Sequence, residues 1–433
     1  MKKITTVILA AGNSSRFKSK HSKIFQDLAG IAIIEHVYNL AKQVSKKNEI
    51  IFVCNKKNIN VLRDKFIGSL FILQKNQKGT ADAITSVKKY LFNTDILILF
   101  GDVPLVSLQS INKLIKNFYI NNSNGSIIVF KSKNPFGYGR VKTNKKIVMA
   151  VVEEINTSKI EKEINLCNSG VIICSSKLLF SQINKISSNN KKKEKYLPDI
   201  FNIFYNLNMG FSYILGKKEE MLGVNSIDDF ITIDRIYQKK LIEKFIKQGV
   251  IIYQPETVRV SYDTKIGKGS TIEPFVFIKT GVKLKENVLI KSSSVIEGCI
   301  INKNSSVGPS ARIRAKSNIG QNVKIGNFVE VKNSKIGDKC SINHLSYIGD
   351  SNLGKRINIG AGTITCNYDG KKKNKTKIEN DVFIGSNCSL IAPIIIGKNS
   401  TIGAGSVITK NIPKNHLALE RSKIKILKKI WIK

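Results

Sequence analysis

An aliphatic residue returns at almost every sixth position between Val260 and Ile408. A period of six fits neither an α-helix, which repeats about every 3.6 residues, nor a simple β-strand, which repeats every two. It is typical of a hexapeptide β-helix, in which each hexad supplies one short strand and one corner and the repeated residue points inward. We therefore predict a three-sided prism of stacked coils of about eighteen residues each. The repeated positions are Val260, Ile266, Ile272, Ile278, Leu284, Ile290, Ile296, Ile301, Val307, Ile313, Ile319, Ile325, Val331, Ile336, Ile342, Ile348, Leu353, Ile359, Thr365, Ile378, Ile384, Leu390, Ile396, Ile402 and Ile408.

The sixfold count lapses by one residue at three places and is broken by one insertion between Thr365 and Ile378. The lapses lie at Ile296–Ile301, Val331–Ile336 and Ile348–Leu353. Loops leave a solenoid at such irregularities and often carry its function. We therefore expect the functional part of the prism in this region.

The N-terminal half follows a different pattern, in which short apolar runs alternate with helical spacing. The expected strands are Thr5–Leu9, Glu49–Cys54, Phe71–Leu73 and Asp95–Phe100, and the expected helices are Ile31–Val44, Asn58–Phe66 and Thr80–Leu91. This alternation is typical of an α/β domain with a largely parallel, doubly wound sheet, whose ligands bind at the carboxyl ends of the strands.

A linker helix is predicted between the two patterns, from Ser226 to Gln248. Ser226 with Asp229 resembles a capping box, and Gly249 ends the apolar spacing. We accordingly expect a Rossmann-like domain over 1–225, a linker helix over 226–249, and a prism with a C-terminal tail over 250–433.

The composition is strongly basic, with 71 Lys and Arg against 31 Asp and Glu and a formal net charge of +40. Such a charge raises nucleic acid or an acidic membrane as partners. The lysines, however, are spread along the whole chain beside abundant Asn and Ile, with no arginine-rich helix or aromatic-interleaved stripe. A compositional bias accounts for this pattern, so nucleic acid is not the expected partner. RNA binding with a steep salt dependence stays open as a third hypothesis.

The seven cysteines are scattered without a CxxC pair, and only four histidines are present. Zinc cages and disulfide frameworks are therefore not expected, which favours a reducing cytoplasm. No apolar run reaches the length of a membrane span, and the N-terminus lacks the pattern of a signal peptide.

Residues with binding chemistry follow several predicted strands of the N-terminal half. The small residues Leu9, Ala10, Ala11 and Gly12 would let backbone N–H groups approach a triphosphate. Asp102, placed after a buried run and before Pro104, suits a hard cation such as Mg²⁺. The further candidates at these strand ends are Arg16, Lys23, Gln74, Gly79 and Thr80.

The prism has its own candidates. Arg314 and Lys332 are eighteen residues apart in unbroken register, so they stack on adjacent coils. Stacked cations repel unless an anion lies near them, which indicates a phosphate site or, alternatively, a solvated charge ladder. His344 follows inward-facing Ile342 by two and should face outward, with Glu330, Tyr347 and Asn358 on nearby coils.

The N-terminal half resembles sugar-phosphate nucleotidyltransferases through the segments VILAAG, LQ with GTADA, FGDVP, GYGR, VVEE, NSGV and GVN. The prism carries NFVEVK, NHLSYIGD, NIGAGTITCNYDG and VFIGSN. Taken together, the chain resembles the family of bifunctional N-acetylglucosamine-1-phosphate uridylyltransferases and glucosamine-1-phosphate acetyltransferases. The resemblance covers nearly the whole chain. It also implies that the parallel β-helix is left-handed.

For the first half, the resemblance implies transfer of UMP from UTP to N-acetylglucosamine 1-phosphate with release of pyrophosphate. Arg16 and Lys23 would neutralise the phosphates, and Asp102 with Asn225 would bind Mg²⁺. The expected nucleotide and sugar contacts are Leu9, Ala10, Ala11, Gly12, Lys23, Gln74, Gly79, Thr80, Gly139, Glu153, Asn168 and Asn225. Two departures concern the phosphate loop, where this chain has Asn13-Ser14-Ser15 before Arg16 and His21-Ser22 before Lys23.

For the prism, the resemblance implies acetylation of glucosamine 1-phosphate by acetyl-CoA. His344 would act as general base, because an imidazole pKa of about 6.5 lies near cellular pH, and Glu330 would orient or polarise it. The expected sugar-phosphate contacts are Arg314, Lys332, Tyr347 and Asn358. Asn367 and Tyr368 complete that site and are also counted with the acetyl-CoA groove, which Ala361, Ser386, Ala404 and Arg421 would line.

The resemblance also implies a homotrimer of prisms packed side by side. Arg314 and Lys332 share one face, whereas His344 comes two hexads further on, so a second chain could close the pocket. The insertion from Asn367 to Lys377 would then cross the subunit boundary.

Two alternatives keep the same architecture. A single-activity sugar nucleotidyltransferase would use the prism only as an oligomerising scaffold. A regulatory assembly subunit would lack catalysis altogether, and the presence of Lys23, Asp102 and Asn225 argues against it.

Overall fold

A computed structural model describes residues 3–12, 17, 22–91, 93–120, 123–190, 193–420 and 426. The chain divides into two compact units, Met1–Ile236 and Tyr237–Lys433, and the boundary falls within a long helix. The predicted division at residues 225 and 249 stays a prediction.

The first unit is built around a nine-stranded sheet with helices between the strands. Its strands are β1 Ile4–Leu9, β2 Asp27–Leu28, β3 Ile31–Ala32, β4 Ile50–Cys54, β5 Leu70–Leu73, β6 Asp95–Phe100, β7 Gly125–Lys131, β8 Arg140–Asn144, β9 Ile147–Val152, β10 Leu166–Ser175 and β11 Phe211–Leu215. Strands β2 and β3 form a separate small hairpin. The helices are α1 Ile33–Ala41, α2 Ile59–Lys65, α3 Thr80–Thr85, α4 Leu108–Ile120, α5 Lys159–Lys162, α6 Ser176–Gln182, α7 Asp199–Asn206 and α8 Ile227–Lys247, which continues into the second unit.

The sheet order is β5-β4-β1-β6-β10-β7-β11-β9-β8. Strands β5, β4, β1 and β6 pair in parallel, as predicted. The prediction of a largely parallel sheet is wrong beyond β6, because β10 pairs antiparallel with both β6 and β7 and the hairpin β8–β9 extends the sheet. Strand β10 pairs across long sequence separations that local periodicity does not report.

Side-chain hydrogen bonds explain why helix α3 ends earlier than predicted. Helix α3 stops at Thr85, although its apolar spacing continues to Leu91. The Thr85 hydroxyl donates to the carbonyl of Ala81 at 2.8 Å, and the Ser86 hydroxyl donates to that of Ala83 at 2.6 Å. Such side-chain bonds compete with the helical ladder, and only a 3-10 turn follows.

The second unit is the predicted prism, with three parallel sheets of ten, nine and eight strands. The first face holds Ile251–Ile252, Thr271–Ile272, Leu289–Ile290, Ser306–Val307, Lys324–Asn327, Ser341–His344, Asn358–Ile359, Phe383–Ile384, Thr401–Ile402 and Leu417–Ala418. The second face holds Arg259–Val260, Phe277–Ile278, Val295–Ile296, Arg312–Ile313, Glu330–Lys332, Tyr347–Gly349, Ile364–Cys366, Ser389–Ile391 and Val407–Ile408. The third face holds Lys265–Ile266, Lys283–Leu284, Ile300–Ile301, Asn318–Ile319, Lys335–Ile336, Ser351–Leu353, Thr376–Ile378 and Ile394–Ile396.

The sixfold pattern is confirmed residue by residue, because every repeated position from Val260 to Ile408 is buried. The aliphatic side chains form one continuous core along the prism. Each lapse shortens a coil without breaking the ladder: Ile278 pairs with Ile296, but Leu284 pairs with Ile301. The three parallel sheets are consistent with the left-handed β-helix that the resemblance implies.

Thr365, the one inward position that is not aliphatic, is also fully buried. Its hydroxyl accepts a hydrogen bond from the backbone N–H of Gly349 at 2.8 Å. The hydroxyl also lies 3.2 Å from the carbonyl oxygen of Tyr347. A polar side chain is therefore satisfied inside an apolar core.

Asparagine recurs at the corner between the third and first faces. Asn287, Asn304, Asn322, Asn399 and Asn415 all have φ between 56° and 61°. Asparagine tolerates this left-handed conformation better than most residues. The side chains also pair between coils, as Asn287 does with Asn304 at 3.2 Å and Asn399 with Asn415 at 3.0 Å.

Helix α8 starts with the predicted capping box. The Asp229 carboxylate accepts from the Ser226 N–H at 2.9 Å, and the Ser226 hydroxyl accepts from the Asp229 N–H at 3.1 Å. Within the second unit, the Gln238 side chain bonds to the N–H and carbonyl of Val260 at 3.0 and 2.9 Å, which satisfies the exposed end of a sheet. Among the described helices, none is both long and apolar enough to cross a bilayer.

Candidate active sites

The loop after β1 is held by buried asparagines that follow β4. The Asn58 amide donates to the carbonyl of Ala10 at 2.8 Å, and the Asn55 amide donates to that of Ala11 at 3.2 Å. The backbone N–H groups of Ala11 and Gly12 donate to none of the described residues. Free N–H groups on a fixed loop suit a phosphate. Sequence reasoning missed Asn55, which directly follows the buried strand β4, and Asn58, which precedes α2.

A cleft of about 490 Å³ opens at the carboxyl ends of β1, β5 and β6. It brings together most of the residues predicted for the nucleotide. The lining includes Leu9, Ala10, Ala11, Gly12, Lys23, Gln74, Gln77, Gly79, Thr80, Asp102, Glu194 and Tyr196. Glu194 and Tyr196 were not predicted, because they come from a segment far along the chain.

Position 79 requires a glycine, because the segment that contains Glu194 and Tyr196 crosses the cleft there. Its φ is +101°, and a Cβ there would lie 2.4 Å from the carbonyl oxygen of Lys195. The N–H of Leu197 donates to the Thr80 hydroxyl at 2.9 Å, which fastens the segment to the start of α3. Burial and the neighbouring Glu194 raise the pKa of Tyr196 to about 12, so its phenol remains a hydrogen-bond donor at neutral pH.

The two predicted metal ligands converge on one ammonium group. Lys23 Nζ donates to Asp102 Oδ2 at 2.5 Å and to Asn225 Oδ1 at 3.2 Å. Lys23 is nearly buried. A carboxylate and an amide oxygen that already share one cation are a donor set suited to Mg²⁺, which keeps several waters and substrate oxygens as its other ligands. The described residues contain no cluster of three or more His, Cys, Asp or Glu that could hold a metal by itself.

The predicted sugar contacts also lie close together. The N–H of Asn168 donates to the carbonyl of Gly139 at 2.9 Å. A Cβ on Gly139 would lie 3.5 Å from Glu153 Oε1 and 3.7 Å from Asn168 Cβ. A side chain at Gly139 would therefore occupy the space between these two polar groups. Arg16, Asn13-Ser14-Ser15, His21 and Arg421 lie outside the described residues.

Cations gather on the second face of the prism. Arg314 forms an ion pair with Glu330 at 2.9 Å. The pKa of Lys332 is lowered, first by Lys373 and then by Arg314, while Asp350 opposes the shift. Lys373 belongs to the insertion after Thr365 and was not predicted. Three cations held this close together favour a bound anion.

His344 is exposed at the end of a strand of the first face, as predicted. Its Nδ1 lies 3.0 Å from Asn327 Oδ1, one coil away. Because an amide oxygen can only accept, this contact favours the tautomer of a neutral imidazole with its hydrogen on Nδ1 and its lone pair on Nε2. Asn327, which sequence reasoning missed, thus orients the ring so that Nε2 faces away from this contact.

The prediction that Glu330 orients His344 stays a prediction, because in one chain Glu330 accepts from Arg314. Glu330 begins the strand that pairs with Tyr347, so His344 and Glu330 lie on either side of one corner in adjacent coils. Because each coil has three faces, a residue two hexads further along the chain lies on a neighbouring face. The prediction that a second chain completes the pocket stays a prediction.

The corner between the first and second faces, which we call the first edge, carries three further predicted residues. The N–H of Gly362, next to Ala361, donates to the carbonyl of His344 at 3.3 Å. The carbonyl of Ala361 accepts from Asn387 N–H at 2.7 Å, and that of Ser386 accepts from Gly405 N–H at 2.8 Å. His344, Ala361, Ser386 and Ala404 therefore follow one another along the first edge.

The insertion after Thr365 starts from a buried anchor. Asn367 is 7% exposed and donates to Asp350 Oδ2 at 2.5 Å. Its carbonyl accepts from the N–H of Asn374 at 2.7 Å, which closes the loop. Tyr368, by contrast, is 62% exposed. Tyr347 and Asn358 are half-buried on the second and first faces.

Comparison with known proteins covers both units. Residues 6–196 match the MobA-like NTP transferase domain, residues 375–410 match the bacterial transferase hexapeptide family, and residues 295–368 match the GMPPB C-terminal domain. Full-length relatives are each named bifunctional protein GlmU. The relative from Bartonella bacilliformis is 37% identical over 96% of this chain and 94% of its own. That from Zymomonas mobilis is 37% identical over 100% and 97%, and that from Thermosipho africanus is 38% identical over 99% and 96%.

Proposed function

Because the chain belongs to the bifunctional GlmU family, we propose that it makes UDP-N-acetylglucosamine in two steps. The prism acetylates glucosamine 1-phosphate with acetyl-CoA. The first unit then transfers UMP from UTP to the N-acetylglucosamine 1-phosphate, and pyrophosphate is released. The product is an activated sugar for cell-wall and lipopolysaccharide synthesis.

In the acetylation step, His344 Nε2 takes a proton from the amine of the sugar. The amine nitrogen forms a bond to the thioester carbonyl carbon, and the bond to sulfur breaks to release the coenzyme A thiol. Asn327 holds the imidazole in the tautomer that this step needs. Arg314, Lys332 and Lys373 hold the sugar phosphate, and the first edge offers Ala361, Ser386 and Ala404 to acetyl-CoA. Tyr347, Asn358, Asn367 and Tyr368 complete the proposed pocket.

In the uridylyl step, a phosphate oxygen of the sugar attacks the α-phosphorus of UTP, and the bond to pyrophosphate breaks. Such transfers need positioning and charge stabilisation more than a protein nucleophile. The Leu9 to Gly12 loop would bind the triphosphate, and Gly139, Glu153 and Asn168 the sugar. Arg16 and Lys23 would neutralise the leaving group.

Asp102 and Asn225 would hold Mg²⁺, which when bound supplies positive charge to the phosphates. Lys23, whose ammonium bonds to both Asp102 and Asn225, would contribute positive charge at the same place. We place the chain in the cytoplasm, where UTP and acetyl-CoA are available, with all seven cysteines free.

A homotrimer of prisms is proposed on the basis of the hexapeptide repeats. The insertion from Asn367 to Lys377, anchored at the buried Asn367 and exposed at Tyr368, would reach a neighbouring chain and complete the acetylation pocket there. A variant that is monomeric should then lose acetyl transfer and keep uridylyl transfer. An active monomeric acetyltransferase would contradict the shared pocket.

The observation that carries the proposal is the Asn327–His344 pair together with the cations on the adjoining face, because a prism that served only as a scaffold needs neither. Incubation with UTP, Mg²⁺, acetyl-CoA and glucosamine 1-phosphate should yield UDP-N-acetylglucosamine. His344→Ala should lower thiol release by about 10²- to 10⁴-fold and, when N-acetylglucosamine 1-phosphate is supplied directly, should spare pyrophosphate formation. Asp102→Ala should lower pyrophosphate formation and spare thiol release. Full thiol release by the His344 variant would refute the role of the base, and retained pyrophosphate formation by the Asp102 variant would refute the metal assignment.

A further inference from the structure

Gln74 lies directly after β5 and lines the nucleotide cleft. Its amide nitrogen Nε2 donates to the carbonyl of Gly79 at 3.0 Å and to Asp82 Oδ2 at 2.8 Å. An amide nitrogen has two N–H donors, so both are used within the protein. In the part of the chain that the structure describes, Oε1 accepts no hydrogen bond. The side chain is therefore fixed with its acceptor available to a ligand.

We propose that Asp82 is a positioning residue that sets the nucleobase specificity of this cleft. By holding Nε2 of Gln74, Asp82 makes the amide present an acceptor, which selects a base that donates a ring N–H. The inference rests on the proposed function and adds the reason for a preference among nucleotides. With ribose and phosphates held in place, uracil offers a donor at N3, whereas cytosine offers a lone pair there.

Asp82 is suited to this task by its place in the fold. It lies in the first turn of α3, within hydrogen-bond distance of Gln74. An ionised carboxylate can only accept, so it cannot pair with Gln74 Oε1. Turning the amide over would exchange a charge-assisted hydrogen bond for repulsion between two oxygens, and would also place Oε1 against the carbonyl of Gly79. The acceptor orientation is thus favoured by two independent contacts.

A purely structural role is the competing explanation, because Asp82 Oδ2 also accepts from the N–H of Lys78 at 3.2 Å and so helps to start α3. Two variants separate the roles. Asp82→Asn keeps an oxygen for the Lys78 N–H and adds an NH₂ group that can pair with Gln74 Oε1, so the amide can turn over. Asp82→Ser keeps a shorter acceptor at the helix start. Glu35→Gln is the matched control, since Glu35 accepts from the Ala32 N–H at 2.8 Å in the first turn of α1.

The test is equilibrium binding of UTP and CTP to the full chain in the presence of Mg²⁺, measured by calorimetry. The unaltered chain should prefer UTP by on the order of 100-fold or more, because a site built around a hydrogen bond rejects the analogue that lacks it. Asp82→Asn and Asp82→Ser should each reduce that preference by on the order of 10-fold, whereas Glu35→Gln should leave it unchanged.

Either variant that folds, by circular dichroism, and keeps the original ratio of UTP to CTP affinity overturns the inference. Equal loss of affinity for both nucleotides also overturns it, since a structural role predicts that result. If the unaltered chain binds UTP and CTP equally well, the inference is also overturned. If the chain binds UTP selectively but forms no product, the proposed function fails and the inference on Asp82 stands.

Discussion

Replacement of Thr365 by valine sets the sequence pattern against the structure. Thr365 is the only non-aliphatic residue among the repeated hexad positions, so the periodicity alone expects valine to stabilise the prism. In the structure, the Thr365 hydroxyl accepts from the N–H of Gly349 at 2.8 Å inside the core. Thr365→Val keeps the shape and removes that acceptor.

Two free energies decide the outcome. The added methyl group gains about 0.8 kcal/mol from burial. The Gly349 N–H, left buried without a partner, costs about 1–3 kcal/mol. The structure therefore predicts that Thr365→Val lowers the free energy of unfolding by roughly 0.2–2 kcal/mol. Thr365→Ser keeps the hydroxyl and should lose only about 1 kcal/mol for the missing methyl group.

The assay is urea denaturation of the full chain followed by circular dichroism, combined with hydrogen exchange of the peptide that contains Gly349. Thr365→Val should exchange faster at this peptide than Thr365→Ser does. Ile359→Val, at a hexad position without such a bond, serves as the control for lost volume and should leave the peptide unaffected. A Thr365→Val chain as stable as the original, with unchanged exchange at Gly349, would refute the reasoning.

Two further predictions concern pH. Lys373 lowers the pKa of Lys332, so Lys332 loses its charge at a lower pH than an isolated lysine does. Lys373→Met should therefore raise the pKa of Lys332. The loss of affinity for glucosamine 1-phosphate at alkaline pH should then move to higher pH, measured as KM from about pH 7 to about pH 10. A KM profile that does not move would contradict the effect of Lys373 on Lys332. Burial raises the pKa of Asp199 from 3.8 to about 6, so this carboxyl favours the fold when protonated, and its contribution is lost as pH rises through about 6. Asp199→Asn should gain stability relative to the original chain as the pH rises from about 4 to about 6, measured by urea midpoints, and the difference should stay constant above about pH 6. A constant difference between about pH 4 and about pH 6 would count against the assignment.

The prism could be predicted residue by residue because its core repeats locally. Each hexad faces the same environment, so Ile272 and Ile402 obey one rule although 130 residues separate them. Thr365 shows the limit of this rule, because its partner Gly349 lies on another coil. The parallel part of the α/β sheet was equally predictable from alternating runs. The course of β10 between β6 and β7 was not, because nothing within Leu166–Ser175 indicates its partners.

The candidate sites divide in the same way. Residues in recognisable segments, such as Asp102 and His344, could be selected from the sequence. Those that position them could not, because their role depends on contacts across the fold. Asn327 reaches His344 from the preceding coil, and Asn58 reaches Ala10 from another strand end. Side chains of this kind resemble any surface asparagine until the backbone brings them to their partners.

The regular coil of the prism has positions that accept lysine, asparagine and isoleucine without disturbing its structure. Isoleucine fills the axis, asparagine takes left-handed corners such as those at Asn287 and Asn322, and lysine covers outward positions such as Lys283 and Lys335. A chain drifting towards these three residues can thus keep its architecture through many substitutions. Substitutions towards these three residues should accordingly damage the α/β unit first, because its irregular loops have no repeated positions that accept them.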